Sequence, residues 1–411
     1  MELYEHQKKI INADPKRCGL WLGTGSGKTT IALMLAVGRT LVICPKTQFL
    51  DGNWQREKEK LNLDIDLTVL SKEKFKSSDK EHYDTIIVDE AHTVFGVTPT
   101  VQWVKKQPRP KASQLFNTLI EYITAYNPQR IYLVTATPNK SPMAIWAAAK
   151  ILGVSWDWYK FRQTFYFPVP VQGREIWMAR KDDSAKERLA KATNSLGYSG
   201  RLQDYFDVPE QTYKTVYVDL TKDQEARLDG ISMEYPDPLV LVGKCHQIEN
   251  GVLSGDEFNE PEEFDNNKDE KIIDYALEFP RMIIFAKYTA QIKHISKILK
   301  AEGYKVLELT GQTKDRGALF IEANASKECI VIAQTQISAG WELPDYPVML
   351  FASNSYSIVD KVQAEGRILR ANALKKNLYI TLVARNGVDD AVYKALENKQ
   401  DFIEKLYEKR G

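Results

Sequence analysis

Cysteine is scarce in this chain. There are four in 411 residues (Cys18, Cys44, Cys245 and Cys329), scattered and without a CxxC pair. That spacing argues against a zinc site and a disulfide scaffold, and fits a reducing compartment. Net charge is nearly absent too, with 56 basic residues against 55 acidic ones, so any attraction for a polyanion must come from a local patch. Long hydrophobic runs are missing. The most apolar stretch, PMAIWAAAKILGVSW (142–156), is interrupted by Lys150 and is too short to span a bilayer. The N-terminal MELYEHQKK carries charge and no apolar core, so no signal peptide is expected. Internal repeats are absent as well. These absences predict a soluble, cytoplasmic protein. Its 43% apolar and 27% charged residues are ordinary globular usage, and its length allows two or three domains.

Short apolar runs recur between amphipathic segments. They are TLVIC (40–44), LTVLS (67–71), TIIVD (85–89) and IYLVTA (131–136), then MIIFA (282–286), KVLEL (305–309), CIVIA (329–333), VMLFA (348–352) and LYITLVA (378–384). Runs of this length without alternation predict strands buried on both faces, as in parallel sheets covered by helices. In AQIKHISKILKAEG (290–303), Ile292, Ile295, Ile298 and Leu299 share a helical face and Gly303 closes the end. Two such sets predict an α/β fold in two domains. Between them, residues 154–180 are rich in aromatics, and GDEFNEPEEFDNNKDE (255–270) reads as an exposed acidic linker. The expected division is 1–165, 166–270 as an accessory region and linker, and 271–411.

Two segments carry chemistry. GTGSGKTT (23–30) follows the apolar GLWL and precedes the helical IALMLAVG, giving strand, glycine-rich loop and helix. Gly25 and Gly27 let backbone amides converge on phosphate oxygens, with Ser26 between them. Lys28 supplies a point charge, Thr29 a hydroxyl for Mg²⁺, and Thr30 continues the site. In the strict GxxxxGK[ST] spacing the first glycine position falls on Leu22. TIIVDEAH (85–92) ends a buried strand in paired carboxylates. Asp89 suits the metal, and Glu90 suits a base that polarises the attacking water. His92 is placed to link this site to the TATP segment, with Thr135 and Thr137.

With these motifs in view, the sequence resembles the superfamily-two helicases and translocases of the Swi/Snf-like branch, over nearly the whole chain. Further matching segments are YEHQ (4–7), ICPKTQFLDGNWQREKEKL (43–61), LVTATPNKSPMAIWAAAKILG (133–153), YKTVYVDLTKDQ (213–224) and QAEGRILR (363–370). The resemblance implies two RecA-like lobes with parallel sheets covered by helices, ATP and Mg²⁺ as substrate and cofactor, and DNA as partner to a monomer. It makes Gln7 the candidate adenine reader and Gln363 a coupling residue. It makes Arg367 and Arg370, three apart on one expected helical face, the arginines that meet the γ-phosphate. IAQTQISAGWELP (332–344) departs from the family's pattern, and Gly340 and Glu342 are carried over there as nucleotide contacts. VDDAVYKALENKQDFIEKL (388–406) ends in the family manner and equally suits a plain amphipathic cap. The departures from eukaryotic members of the family imply a bacterial or bacteriophage source.

For a nucleic-acid track the resemblance offers Lys46, Thr47, Ser71, Lys287, Tyr288, Thr310 and Arg316. Apart from it, VQWVKKQPRPK (101–111) places Trp103 among Lys105, Lys106, Arg109 and Lys111. Two readings are open for that segment, a DNA contact through stacking and backbone charge or a solvated basic loop. The expected function is an ATP-dependent DNA translocase or helicase, acting on branched DNA in replication or recombination. The alternatives are an RNA helicase and a nucleic-acid clamp with a degenerate motor.

Overall fold

The structure is a computed structural model, and it describes residues 3–104, 107–139, 141–171, 174–208, 210–255, 260–337, 341, 343–369 and 376–407. The chain divides into two compact units, Met1–Phe206 with Phe402–Gly411, and Asp207–Asp401. Each is built on a six-stranded, wholly parallel sheet, and each is a RecA-like α/β lobe.

In the first unit the strand order is Gly197–Gly200, Arg17–Leu22, Arg130–Val134, Thr85–Asp89, Arg39–Cys44 and Asp66–Ser71. The apolar runs do not alternate because both faces are covered. Trp21, Ile86, Val88, Ile131 and Leu133 pack on one side with Met143 and Trp146 from the helix Pro142–Leu152. Leu20, Leu22, Val42, Ile87 and Tyr132 pack on the other with Ile10, Ile31 and Trp54. In the second unit the order is Gln211–Val218, Asn377–Ala384, Val348–Phe351, Met282–Ala286, Ile330–Gln334 and Val306–Leu309. The helix Thr289–Ala301 lays Ile292, Ile295 and Leu299 onto Ile284, Ile332 and Leu350.

The region read from sequence as one accessory segment, 166–270, is divided between the units. Gly197–Gly200 joins the first sheet beside Arg17–Leu22, and Gln211–Val218 joins the second beside Asn377–Ala384. The aromatic stretch becomes the helix Trp158–Phe165 and a hairpin, Tyr166–Val171 with Arg174–Ala179. Arg162 anchors them, its guanidinium 3.9 Å from the Trp177 ring and 4.6 Å from the Trp158 ring. The acidic linker ends in the helix Asn267–Glu278. All four cysteines are unpaired. Among the described residues no helix is long and apolar enough to cross a membrane.

Candidate nucleotide site and nucleic-acid surface

The nucleotide candidates of the first unit lie near the C-terminal ends of the strands Arg17–Leu22, Arg130–Val134 and Thr85–Asp89, the end at which open α/β sheets bind ligands. Gly25 and Gly27 have φ of 78° and 76°, values that side chains with a Cβ adopt only with strain. Gly27 is also fixed by a close approach, because a Cβ there would lie 2.1 Å from Gln7 Nε2. Gln7 is buried and accepts the Tyr4 amide on Oε1 at 2.9 Å, so it is pressed against the loop by the helix Glu5–Asn12 that carries it. His6 Nε2 lies 2.9 Å from the Ser26 carbonyl and its ring stacks on Tyr205 at 4.1 Å. The Lys28 ammonium donates to the carbonyls of Leu22 and Gly23 at 2.8 and 2.9 Å. Those are weak neutral acceptors, and a phosphate would compete for that ammonium strongly. Thr29 stands on the first turn of the helix Lys28–Met34. The Thr30 hydroxyl is already used, donating to Glu57 Oε1 at 2.7 Å.

The paired carboxylates follow the strand Thr85–Asp89. Asp89 Oδ2 accepts from Trp54 Nε1 at 3.1 Å and Oδ1 from the Glu90 amide at 2.9 Å. Burial raises the Asp89 pKa, and the neighbouring Glu90 charge adds to that. Glu90 is held in the left-handed region, φ 44°, a conformation that costs a non-glycine residue free energy and is found at functional sites. Burial works to raise its pKa, but His92, Lys28 and Lys72 outweigh it and hold Glu90 below the usual range. His92 Nδ1 lies 3.3 Å from Glu90 Oε2 and 2.9 Å from Thr135 Oγ1. Thr135 Oγ1 in turn accepts the Thr137 amide at 3.1 Å. Asp89, Glu90, His92, Thr135 and Thr137 are thus one connected set, with the ionised base that water activation needs. The donor set fits a hard divalent cation at Asp89 and Thr29, both oxygen ligands.

Two residues to which the sequence assigned no role also belong here. Trp54, on the helix Asn53–Lys60, orients the Asp89 carboxylate. Lys72, almost fully buried, donates to the Glu90 carbonyl at 3.2 Å and to the Thr93 hydroxyl, which steadies the strained turn. A lysine at the end of an apolar run gave no signal for that role. Trp54→Phe keeps the packing and removes the donor. It is expected to raise the Mg²⁺ concentration for half-maximal ATP turnover about tenfold, the usual scale for a residue that orients a metal ligand. An unchanged Mg²⁺ titration would remove Trp54 from the site.

In the second unit the arrangement of QAEGRILR differs from expectation. The helix Ile358–Glu365 stops before Gly366, and Gly366–Ile368 form a turn, so Arg367 does not continue a helical face. Glycine disfavours a further turn of helix, and the Arg367 carbonyl accepts the Leu343 amide at 3.1 Å instead of continuing the helix. Arg367 is buried, with Nε donating to the Gln363 carbonyl at 2.8 Å and Nη1 to the Trp341 carbonyl at 2.7 Å. Arg370, Gly340 and Glu342 lie outside the described residues.

The track candidates separate into exposed and structural groups. Lys46 and Thr47 begin the short helix Lys46–Asp51, with Lys46 exposed. Ser71 is buried, and its Oγ accepts the Lys74 amide at 3.2 Å as the cap of the next helix. Thr310 is buried and accepts the Gln312 amide at 3.2 Å, while Arg316 opens the helix Arg316–Ala325. On either side of Lys105 and Lys106, the strands Val97–Val104 and Gln107–Ala112 pair antiparallel. Trp103 pairs with Pro108 and Arg109 with Gln102, so the pleat puts Trp103 and Arg109 on opposite faces. Both are exposed, but they cannot present one surface together. Lys105 and Lys106 lie outside the described residues.

The chain is thus an α/β protein of two units, with a glycine-rich loop and a pair of carboxylates at the C-terminal ends of strands in the first. Residues 267–372 match the helicase conserved C-terminal domain family. A Drosophila melanogaster protein, SWI/SNF-related matrix-associated actin-dependent regulator of chromatin subfamily A-like protein 1, is 26% identical over 133 residues, 31% of this chain. A Methanocaldococcus jannaschii protein provisionally named an ATP-dependent RNA helicase is 28% identical over 150 residues, 34% of this chain. Each match spans only 18% of the relative's own length. Among solved structures, the Sulfolobus solfataricus SWI2/SNF2 ATPase core in complex with dsDNA aligns over 99% of this chain and 93% of that one, with a TM-score of 0.41 and 16% identity.

Proposed function

We propose that the protein is an ATP-dependent DNA translocase or helicase. The observation that carries this reading is the bonded set Asp89, Glu90, His92 and Thr135 at the C-terminal ends of strands, with the Lys28 charge acting on Glu90, in a chain whose other unit matches a helicase domain family. Lys28 would leave the carbonyls of Leu22 and Gly23 for the outer phosphates of ATP, while the amides of the 23–27 loop take the remaining oxygens. Asp89 and Thr29 would hold Mg²⁺, which supplies charge neutralisation on the phosphates. Glu90 accepts the proton of the attacking water, and His92 keeps that carboxylate ionised and oriented. Arg367 and Arg370 are proposed, by resemblance, to neutralise charge on the transferred phosphoryl group. Remodelling of branched DNA in replication or recombination, and a bacterial or bacteriophage source, belong to the same proposal.

ATP turnover measured with no nucleic acid and with single-stranded, duplex, forked and four-way DNA, and with RNA, tests it. Stimulation of about tenfold or more by DNA is expected, with the largest value on branched substrates. The likeness to the M. jannaschii protein favours one rival, an RNA motor, and stimulation by RNA alone would establish that rival. Turnover indifferent to every nucleic acid would defeat both.

A further inference from the structure

A loop that cradles phosphates with its amides must turn carbonyls outward, and each of those needs a donor elsewhere. For Ser26 the donor is His6, whose Nε2 lies 2.9 Å from the Ser26 carbonyl oxygen. A carbonyl oxygen only accepts, so Nε2 carries the hydrogen. That oxygen and the Gly27 amide belong to one planar trans peptide unit and point in opposite directions. By holding the oxygen, His6 aims the Gly27 amide to the side of the loop away from the helix Glu5–Asn12. Among the described residues that amide has no acceptor. Gly27 stands at φ 76°, and glycine takes either sign of φ at little cost. Released by His6, the unit could turn over and present an acceptor where the loop needs a donor.

His6 is itself held from much later in the chain. Its ring stacks on Tyr205, with centroids 4.1 Å apart and planes 13° apart, and lies nearly perpendicular to Phe206 at 5.6 Å. Tyr4 meets Phe206 edge to face at 4.5 Å. The Tyr205 ring reaches over Gly200, where a Cβ would fall 1.9 Å from its hydroxyl oxygen. That hydroxyl donates to the Ser199 carbonyl at 3.3 Å, and the Tyr205 amide donates to the Leu202 carbonyl at 3.1 Å. The same segment also meets the loop directly. The Gly23 amide donates to the Gly200 carbonyl at 2.8 Å, and a Cβ at Gly23 would lie 3.2 Å from the Leu202 nitrogen. Residues 200–206 thus back the loop twice, at Gly23 by their backbone and at Ser26 through His6.

We infer that His6 and Tyr205 are positioning residues for the triphosphate. His6 fixes the Ser26–Gly27 peptide with its amide toward the phosphates, and Tyr205 fixes the plane of the His6 ring. Both act through that peptide. The inference rests on the nucleotide reading of the loop proposed above and adds to it two side chains that the motifs leave without a role.

Steady-state ATP turnover in the intact chain, with inorganic triphosphate as a competitive inhibitor, tests it. His6→Ala is expected to raise the KM for ATP about tenfold, the scale of one lost hydrogen bond to a charged group, and to leave kcat within about twofold. The inhibition constant of inorganic triphosphate should rise by a similar factor, because that probe has no base for Gln7 to read. His6→Gln brings an amide donor close to the place of Nε2 and should recover most of the affinity. His6→Phe keeps a ring without the donor and should resemble His6→Ala. Tyr205→Ala should raise KM several-fold, in keeping with the loss of an aromatic pair, and Tyr205→Phe should restore it. An unchanged KM in His6→Ala overturns the inference. A raised KM with triphosphate inhibition unaltered also overturns it, by moving the effect to the base and Gln7. His6→Gln no better than His6→Ala would reduce His6 to packing, and Tyr205→Phe as weak as Tyr205→Ala would remove Tyr205 from the role. All of these leave the nucleotide reading standing, whereas an unaltered chain that neither binds nor hydrolyses ATP overturns both.

Discussion

Glu90→Gln is expected to lower ATP turnover roughly a thousandfold while ATP still binds, within the range that a positioned general base supplies. Glutamine has the shape of glutamate but cannot take a proton from water. The structure makes Glu90 the right group to lose. It is kept ionised by His92, Lys28 and Lys72 against the effect of burial, and its backbone is held at φ 44° by bonds that include the Lys72 ammonium. Glutamine preserves that backbone and the packing, so the loss should fall on kcat. Phosphate release in the steady state, with binding of a fluorescent ATP analogue measured in parallel, separates the two effects. Normal turnover in this variant would remove Glu90 from the base role and direct attention to its neighbours.

Asp389→Ala should destabilise the second unit by about 3–5 kcal/mol, because it strands the buried Lys268 ammonium without its counter-charge. The pair is fully buried, so solvent does not screen it. The same carboxylate accepts the Ala384 amide at 2.8 Å, which ties the last strand to the start of the final helix. Lys268 and His246 hold the Asp389 pKa far below the carboxylate range, overcoming burial. Its stabilising contribution is therefore present above the unfolded value of about 4 and is lost as pH falls below it. Burial lowers the His246 pKa. The unfolded chain then takes up a proton first, so stability also declines as pH falls below about 6.5. Chemical denaturation at neutral pH, and again between about pH 6.5 and 3, should show a progressive acid loss in the unaltered chain, of which Asp389→Ala lacks the part below about pH 4 and keeps the part that His246 contributes. A change smaller than about 1 kcal/mol at neutral pH would mean that Lys268 finds another partner.

The strands were legible because both faces of each sheet are covered, so MIIFA or CIVIA reads as one unbroken apolar run. The glycine-rich loop 23–27 and the paired carboxylates Asp89 and Glu90 drew attention because their residues are contiguous in sequence. Gly197–Gly200 was not legible, since GYSG has no apolar run. It enters the sheet through a glycine approach, a Cβ at Gly197 falling 2.0 Å from the Gly19 carbonyl oxygen. That is why the sequence placed the first boundary at 165 and not beyond 200. Trp54 and Asp89 are 35 residues apart, and His246 and Asp389 are 143 apart. No local pattern records a bond across such distances. The helical face assumed for Arg367 rested on the family resemblance and the three-residue spacing to Arg370, and Gly366 with the Trp341 carbonyl set a different path.

The second lobe opens and closes on adjacent strands, Gln211–Val218 lying parallel to Asn377–Ala384 over its full length. A fragment cut where the helicase-domain match starts, at residue 267, would expose the flank of Asn377–Ala384 as an unprotected edge, open to pairing with another chain. The same cut would delete His246 and leave Asp389 with one fewer donor. Excision at residue 207 keeps that edge covered, so solubility of the two fragments should differ even though both retain every residue of the matched domain.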